Sequence, residues 1–350
     1  MNINILQWRY SPFLMLMALF LPTDNVQAAL TVTCKAGMNT VAGTDGLVDL
    51  GTITSDDVGS ASISGTLNYS CTNTGTTAGY VSVCLAADGG YKPSAVIPRY
   101  MKTAPSNREL AFNMTLSNGG IWGTRSSGVG VEYNSGPIYI PARLNSSTPG
   151  TMAGKETINI SLLSSNTQAI PGKYNNIFNG GHTAMTISTS ARQNSSNCLT
   201  VPISQQGTDR FPFTVQATVL PSCKVTAKPN IDLGPHPASE KDITGNNTIG
   251  VTCTDTTAYN IGLAPSNGSL NGAGLMKGSD TNPVVPYQLR STAGLNGIIW
   301  GNTATSTSVG NGVAGIGSGV EQSRNVYVTV PSADFKPGNY SDTVFIKVNY

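Results

Sequence analysis

The chain has 350 residues, with 39 Gly, 20 Pro, 11% charged residues and a net charge of +2. Its length suits two domains of ordinary size, and its glycine and proline content requires frequent turns. A nearly neutral chain without a Lys/Arg run lacks the basic stripe of a nucleic-acid binder, so no nucleic-acid partner is expected.

At the N-terminus Arg9 precedes the apolar run SPFLMLMALFLP, which is too short to span a bilayer. The small-residue site Val26–Ala28 follows. This pattern predicts a secretory signal peptide over residues 1–28, cut after Ala28. An exported chain meets oxidants, so Cys34, Cys71, Cys84, Cys198, Cys223 and Cys253 read as disulfide partners. None forms a C-x-x-C pair, and the two histidines, His182 and His236, lie far apart in sequence. No metal or cofactor is expected.

Beyond the leader, short alternating segments follow one another, as in an all-β protein. After the first strand comes CKAGMNTVAG, with Ala36, Met38 and Val41. VDLG and LNYSC lead to YVSVCLA, and then to GGYKPSAVIPRY, with Ala95, Val96 and Ile97. Further on, IYIPA is followed by PARLNSSTPG, with Leu144. Alternate loops of an antiparallel sandwich share an end, so these apolar residues are expected to meet at one pole as an exposed patch. After TAMTIST the chain reaches FPFTVQATVLPSC, in which Phe211, Phe213, Val215, Ala217 and Val219 alternate with more polar residues, the period of a half-buried strand.

The second half repeats the first. Cys34…VDLG…Cys71 matches Cys223…IDLG…Cys253. YVSVCLAADGG matches YNIGLAPSNGS, LAFNMTLSNGGIWGT matches VPYQLRSTAGLNGIIWGN, and IPGKY matches KPGNY. Two homologous domains follow, 29–208 and 221–350 before the strand at 211–219 is assigned. Six cysteines allow fifteen connectivities. The repeat selects Cys34–Cys71 and Cys223–Cys253 as equivalent bridges and leaves Cys84–Cys198 as the third. In the second half NTIGVTC, AYNIGLA, PVVPYQLR, NVYVTVP and SDTVFIKVNY are strand candidates, which suggests immunoglobulin-like sandwiches.

The order C…DLG…C…GIIWG…PGNYSDTVFIKVNY resembles the spore-coat-protein-U-like domain, from which subunits of archaic, Csu-type chaperone–usher pili are built. Two such domains in one exported chain look like the two-domain tip adhesin of such a pilus. The resemblance implies a sandwich that lacks its final strand and receives one from outside. The expected partners are a periplasmic pilus chaperone, an outer-membrane usher and the N-terminal donor strand of the next subunit. In ordinary subunits the donor precedes the first cysteine, whereas after cleavage only ALTVT precedes Cys34, so this subunit is expected to donate nothing. At the other end Val344, Ile346 and Val348 share one face of the last strand and are expected to form the acceptor edge of an incomplete second domain, 221–350. Phe211–Val219 has the place of a donor extension relative to Cys223 and is expected to complete the first domain in cis, which extends that domain to 29–220.

The same resemblance implies apolar finger loops on the outer domain, gripping an abiotic or host surface in biofilm formation from the pilus tip. A structural shaft or spore-coat protein without a binding tip is the alternative, and a carbohydrate-binding lectin is a variant of the adhesin reading. Catalysis is not expected. Gly310-Asn-Gly312-Val-Ala-Gly315 matches G-x-G-x-x-G without a βαβ context, and Asp56-Asp57 reads as a solvated turn. Trp122 and Trp300 occupy equivalent places in the repeat and are expected to serve a shared structural role, each needing a partner for its N–H.

Overall fold

Alternating side chains pack two hydrophobic cores in the computed structural model, which describes residues 30–202, 209–278 and 284–350. The expected signal peptide lies outside the described residues. The first core is enclosed by β1 (Val32–Met38), β2 (Gly46–Ile53), β3 (Ser62–Asn73), β4 (Gly79–Ala87), β5 (Arg99–Thr103), β6 (Glu109–Leu116), β7 (Tyr133–Asn134), β8 (Ile138–Ile140), β9 (Gly150–Leu162), β10 (Gly172–Phe178), β11 (Thr183–Ser190) and β12 (Phe213–Val219). Eight of these strands form one sheet in the order β1-β3-β9-β6-β5-β10-β12-β2. The opposing sheet runs β11-β4-β7, with β8 also on β4.

The second core is enclosed by β13 (Cys223–Ala227), β14 (Lys241–Cys253), β15 (Ala258–Pro265), β16 (Ala273–Gly278), β17 (Val284–Arg290), β18 (Val313–Ile316), β19 (Gln322–Ser332), β20 (Tyr340–Ser341) and β21 (Val344–Asn349). Their sheets run β13-β14-β19-β17-β16-β20 and β18-β15-β21. Overlaid on the first order, β13 stands for β1, β14 for β3, β19 for β9, β17 for β6, β16 for β5 and β20 for β10. Among the described residues the second sheet then stops: nothing stands for β12 or β2. Both halves are immunoglobulin-like sandwiches, and the second lacks the final strand that the first possesses.

The repeat extends to single bonds. Cys34 faces Cys71 and Cys223 faces Cys253 across their ladders, each pair closed by a disulfide, and the third disulfide joins Cys84 to Cys198. Trp122 Nε1 donates to the Leu85 carbonyl and Trp300 Nε1 to the Ile261 carbonyl, both at 2.9 Å. These are the partners that two fully buried indoles require. The Tyr174 hydroxyl donates to the Ile170 carbonyl, and the Tyr340 hydroxyl to the Lys336 carbonyl, four residues back in each case. Gly51 and Gly234 both take a positive φ, +75° and +74°, and donate to the side chain of the aspartate two residues earlier. Glycine suits both positions because L side chains rarely adopt this left-handed backbone, although no neighbouring atom would meet a Cβ at either one.

Three residues, Leu220–Ser222, join the sandwiches, and they are hydrogen-bonded on both sides. Leu220 N–H donates to the Ile53 carbonyl, Ser55 N–H to the Ser222 hydroxyl at 2.7 Å, and Thr254 N–H to the Ser222 carbonyl. Arg108 pairs with Asp255 at 3.5 Å across the junction.

Candidate functional site

Period two sends alternate residues of β1 inward. Cys34, Ala36 and Met38 therefore share the core face, and Ala36 and Met38 are buried strand residues rather than exposed loop residues. Val96 is buried as well: its carbonyl accepts from the Nη1 of buried Arg99, which draws the segment inward. These three were expected on the surface patch, and packing removes them from it. Ala95 is half-buried. Val41, Ile97 and Leu144 do face solvent, at 77%, 54% and 83% exposure.

The register also separates two of the loops. Met38 faces Leu67 on β3, whereas the 141–149 loop enters β9 at Gly150, which faces Asn73. From Leu67 to Asn73 is roughly 20 Å along an extended strand, so the loops carrying Val41 and Leu144 lie at opposite ends of β1. The 88–98 loop instead folds over β10, where Asn176 accepts from Tyr91 N–H and donates to the Gly89 carbonyl. Among the exposed apolar residues outside the loops read from sequence, two lie side by side. Leu47 faces Thr214, and Thr214 faces Ile177, so Leu47 and Ile177 flank β12 in one cross-strand row on the outer face. An apolar residue on the outward phase of an otherwise inward-alternating strand was the available signal.

Beneath the 88–98 loop sits Arg99, with no solvent exposure. Its guanidinium donates to the carbonyls of Asp88, Val96, Ala87 and Trp122. Burial pushes its pKa down to about 9, with the Asp88 charge pulling the other way. Asp88 in turn contacts His182 Nδ1 at 3.1 Å. One buried cation thus ties the 88–98 loop to β4 and to the Trp122 segment.

The two sandwiches differ most where β12 lies. In the first, β12 is antiparallel to β10 from Gly172↔Val219 to Phe178↔Phe213, and parallel to β2 from Phe213↔Gly46 to Val219↔Ile53. Phe211, Phe213, Val215, Ala217 and Val219 are all buried, and Phe213 stacks on Phe178 at 4.4 Å and on Trp122 at 6.0 Å. In the second, the corresponding space is a cleft of about 1200 Å³ between segment 228–238 and segment 335–346. Ile231, Leu233, Tyr287 and Val328 lie along its wall. The Tyr287 hydroxyl donates to Asp342 at 2.6 Å, and burial together with that carboxylate raises the Tyr287 pKa.

On β21, Val344, Ile346 and Val348 alternate inward and are half-buried; the strand pairs with β15 along Val344–Asn349 and stands at the end of its sheet. Val344 and Ile346 line the cleft, while Val348 lies further along the strand. The stretch that corresponds to β10, the ladder partner of β12, is 338–344, aligned through Tyr174 and Tyr340. An open ladder would therefore run there, with only Val344 of the three at its end.

Residues 209–347 match the family model described as the Spore Coat Protein U domain. The Spore Coat Protein U match begins four residues before β12 and so includes it, although β12 is hydrogen-bonded into the first sandwich. No curated protein matches the chain. Among solved structures the chain is similar to the chaperone–tip adhesion subunit pre-assembly complex of archaic chaperone-usher Csu pili from Acinetobacter baumannii. Identity there is 15% over 91% of this chain and 100% of that one, with a TM-score of 0.47. A tip adhesin from Pseudomonas aeruginosa is 11% identical over 92% and 94% of the two chains, with a TM-score of 0.30. A pilin subunit from enterotoxigenic Escherichia coli is 14% identical over 53% and 98%, with a TM-score of 0.27.

Proposed function

We propose that this chain is an exported pilus subunit of the chaperone–usher type, acting as a tip adhesin at the cell surface in attachment and biofilm formation. The observation that carries the reading is one strand position, filled by the chain's own β12 in the first sandwich and open as a cleft in the second. The first sandwich is complete and takes no further strand. The second accepts one extended strand, from a periplasmic chaperone during export and then from the N-terminal extension of the next subunit, by β-augmentation. The outer-membrane usher acts between these two states. The Spore Coat Protein U match over the second sandwich supports this assignment.

The adhesive surface is assigned to Val41, Leu47, Ile97 and Ile177, exposed apolar residues of the first sandwich, and leaves out Leu144, which lies at the other end of β1. Burying such side chains is non-directional and worth about 25 cal/mol per Å² of apolar area, so it serves varied abiotic or host surfaces without a pocket. The test replaces Val41, Leu47, Ile97 and Ile177 with serine and compares cell attachment to polystyrene, with immunogold labelling of the pili. Attachment reduced at least about tenfold with labelled tips intact is the expected result. Unchanged attachment rejects the adhesive surface, and label along the whole shaft rejects the tip position in favour of a structural subunit.

A further inference from the structure

The wall of the open cleft that stands for β2 carries a histidine in an unusual place. Counting on from the shared turn glycine, Gly51 in one sandwich and Gly234 in the other, Ile53 corresponds to His236. Ile53 is fully buried and faces Val219 of β12, whose neighbour Leu220 donates to the Ile53 carbonyl. Among the described residues of the open sandwich no strand lies beside His236. Its Nε2 lies 2.5 Å from the Leu233 carbonyl and its Nδ1 3.0 Å from Glu240, and so it clips segment 233–240 into a turn.

We propose that His236 is a proton-dependent latch on the cleft, so that docking of a strand expels a proton from this imidazole. The proposal rests on the acceptor reading above and adds its regulation.

Two independent arguments point the same way. First, both ring nitrogens face oxygen acceptors, and only the imidazolium has an N–H at each position. A neutral ring must turn one lone pair toward either the Leu233 carbonyl or Glu240. The protonated state therefore holds the turn, consistent with a His236 pKa raised above 6.5 by Glu240 and then by the Leu233 carbonyl. Second, a docked strand in the β12 register places position 236 where Ile53 is buried, and burial disfavours the charged ring. Other ionisable groups line the same cleft: Lys228, Asp232, Lys336, Asp342, Tyr287 and Tyr340. Lys228 is paired with Glu321, and Asp342 accepts from Tyr287. Glu240 is the carboxylate bonded to His236.

The sign follows from linkage. The open state binds the proton more tightly than the docked state, so docking strengthens as pH rises through the open-state pKa, above 6.5, and levels off beyond it. Below that pKa, affinity falls by up to about tenfold per pH unit.

The probe is a capped peptide with the sequence of residues 209–220, which already fits the equivalent slot of the first sandwich. Its binding to the full chain is measured by titration calorimetry between about pH 5.5 and pH 8, in buffers of different ionisation enthalpy, which report protons released. The expected result is weaker binding in acid with net proton release near pH 6.5. His236→Gln, which keeps a polar group but does not titrate, is expected to bind with a flat profile and no release. Binding without proton release, or the same pH slope in His236→Gln, overturns the latch and leaves the acceptor reading standing. No binding at any pH overturns both.

Discussion

Arg99 carries a full positive charge into a site without solvent and meets it with four carbonyl oxygens. Truncating it leaves those acceptors without donors, the costly side of a buried polar interaction. Arg99→Met is expected to destabilise the first sandwich by about 3 kcal/mol, read as an earlier first transition in denaturant with the second unchanged. Nothing in SAVIPRY marks that arginine as buried, because an isolated Arg next to proline reads as a surface residue. The tryptophans were more legible. Their equivalence showed in the repeat, and equivalence in two sandwiches argues for a structural role, while the carbonyls of Leu85 and Ile261 that receive their N–H groups are set by packing across the sheets. His236 belongs at this scale too: in GPHP it looks like an ordinary turn histidine, and only its place opposite the missing strand gives its proton a consequence.

Strand β12 is the element on which the two halves diverge. Its alternation is plain in FPFTVQATV, and its burial follows that alternation residue by residue. Sequence similarity assigns it to the second half, since the Spore Coat Protein U match begins at 209, but its ladders lie wholly with β10 and β2 of the first. A local pattern specifies a strand and its inward face, but not the sheet that will receive it. Each large side chain it buries is worth about 1.5–3 kcal/mol, so placing a carboxylate among them is severe. Val215→Asp is expected to destabilise the first sandwich by more than about 3 kcal/mol. In calorimetry its transition should shift or vanish while that of the second sandwich persists. Simultaneous loss of both transitions would mean that the second sandwich depends on β12 as well.

Across the whole molecule, the junction leaves little play. Besides the bonded linker and the Arg108–Asp255 pair, a turn of the second sandwich abuts the first at Gly319. With φ of +72°, a Cβ there would lie 1.5 Å from the Thr167 carbonyl oxygen. Gly319→Val is therefore expected to push the sandwiches apart and lengthen the particle in small-angle scattering. It should cost each sandwich no more than about 1–3 kcal/mol, the scale of local backbone strain. An unchanged scattering profile would show that the contact does not set the interdomain angle.

The amino-acid sequence by itself determined the class of fold, the doubling of the domain, the cysteine pairing and the existence of a strand at 211–219. All of these follow from period-two patterning or from comparing one half with the other, and both are local or linear properties. The tertiary structure alone decided which apolar residues face water, because Met38, Ala36 and Val96 were drawn into the core by strand phase and by a buried arginine. It also decided that the loops of Val41 and Leu144 do not meet, and that a cleft lies between segments 228–238 and 335–346 where the first sandwich holds β12. Those are consequences of register and sheet order, which depend on partners far apart in the chain and leave no signature in any single segment.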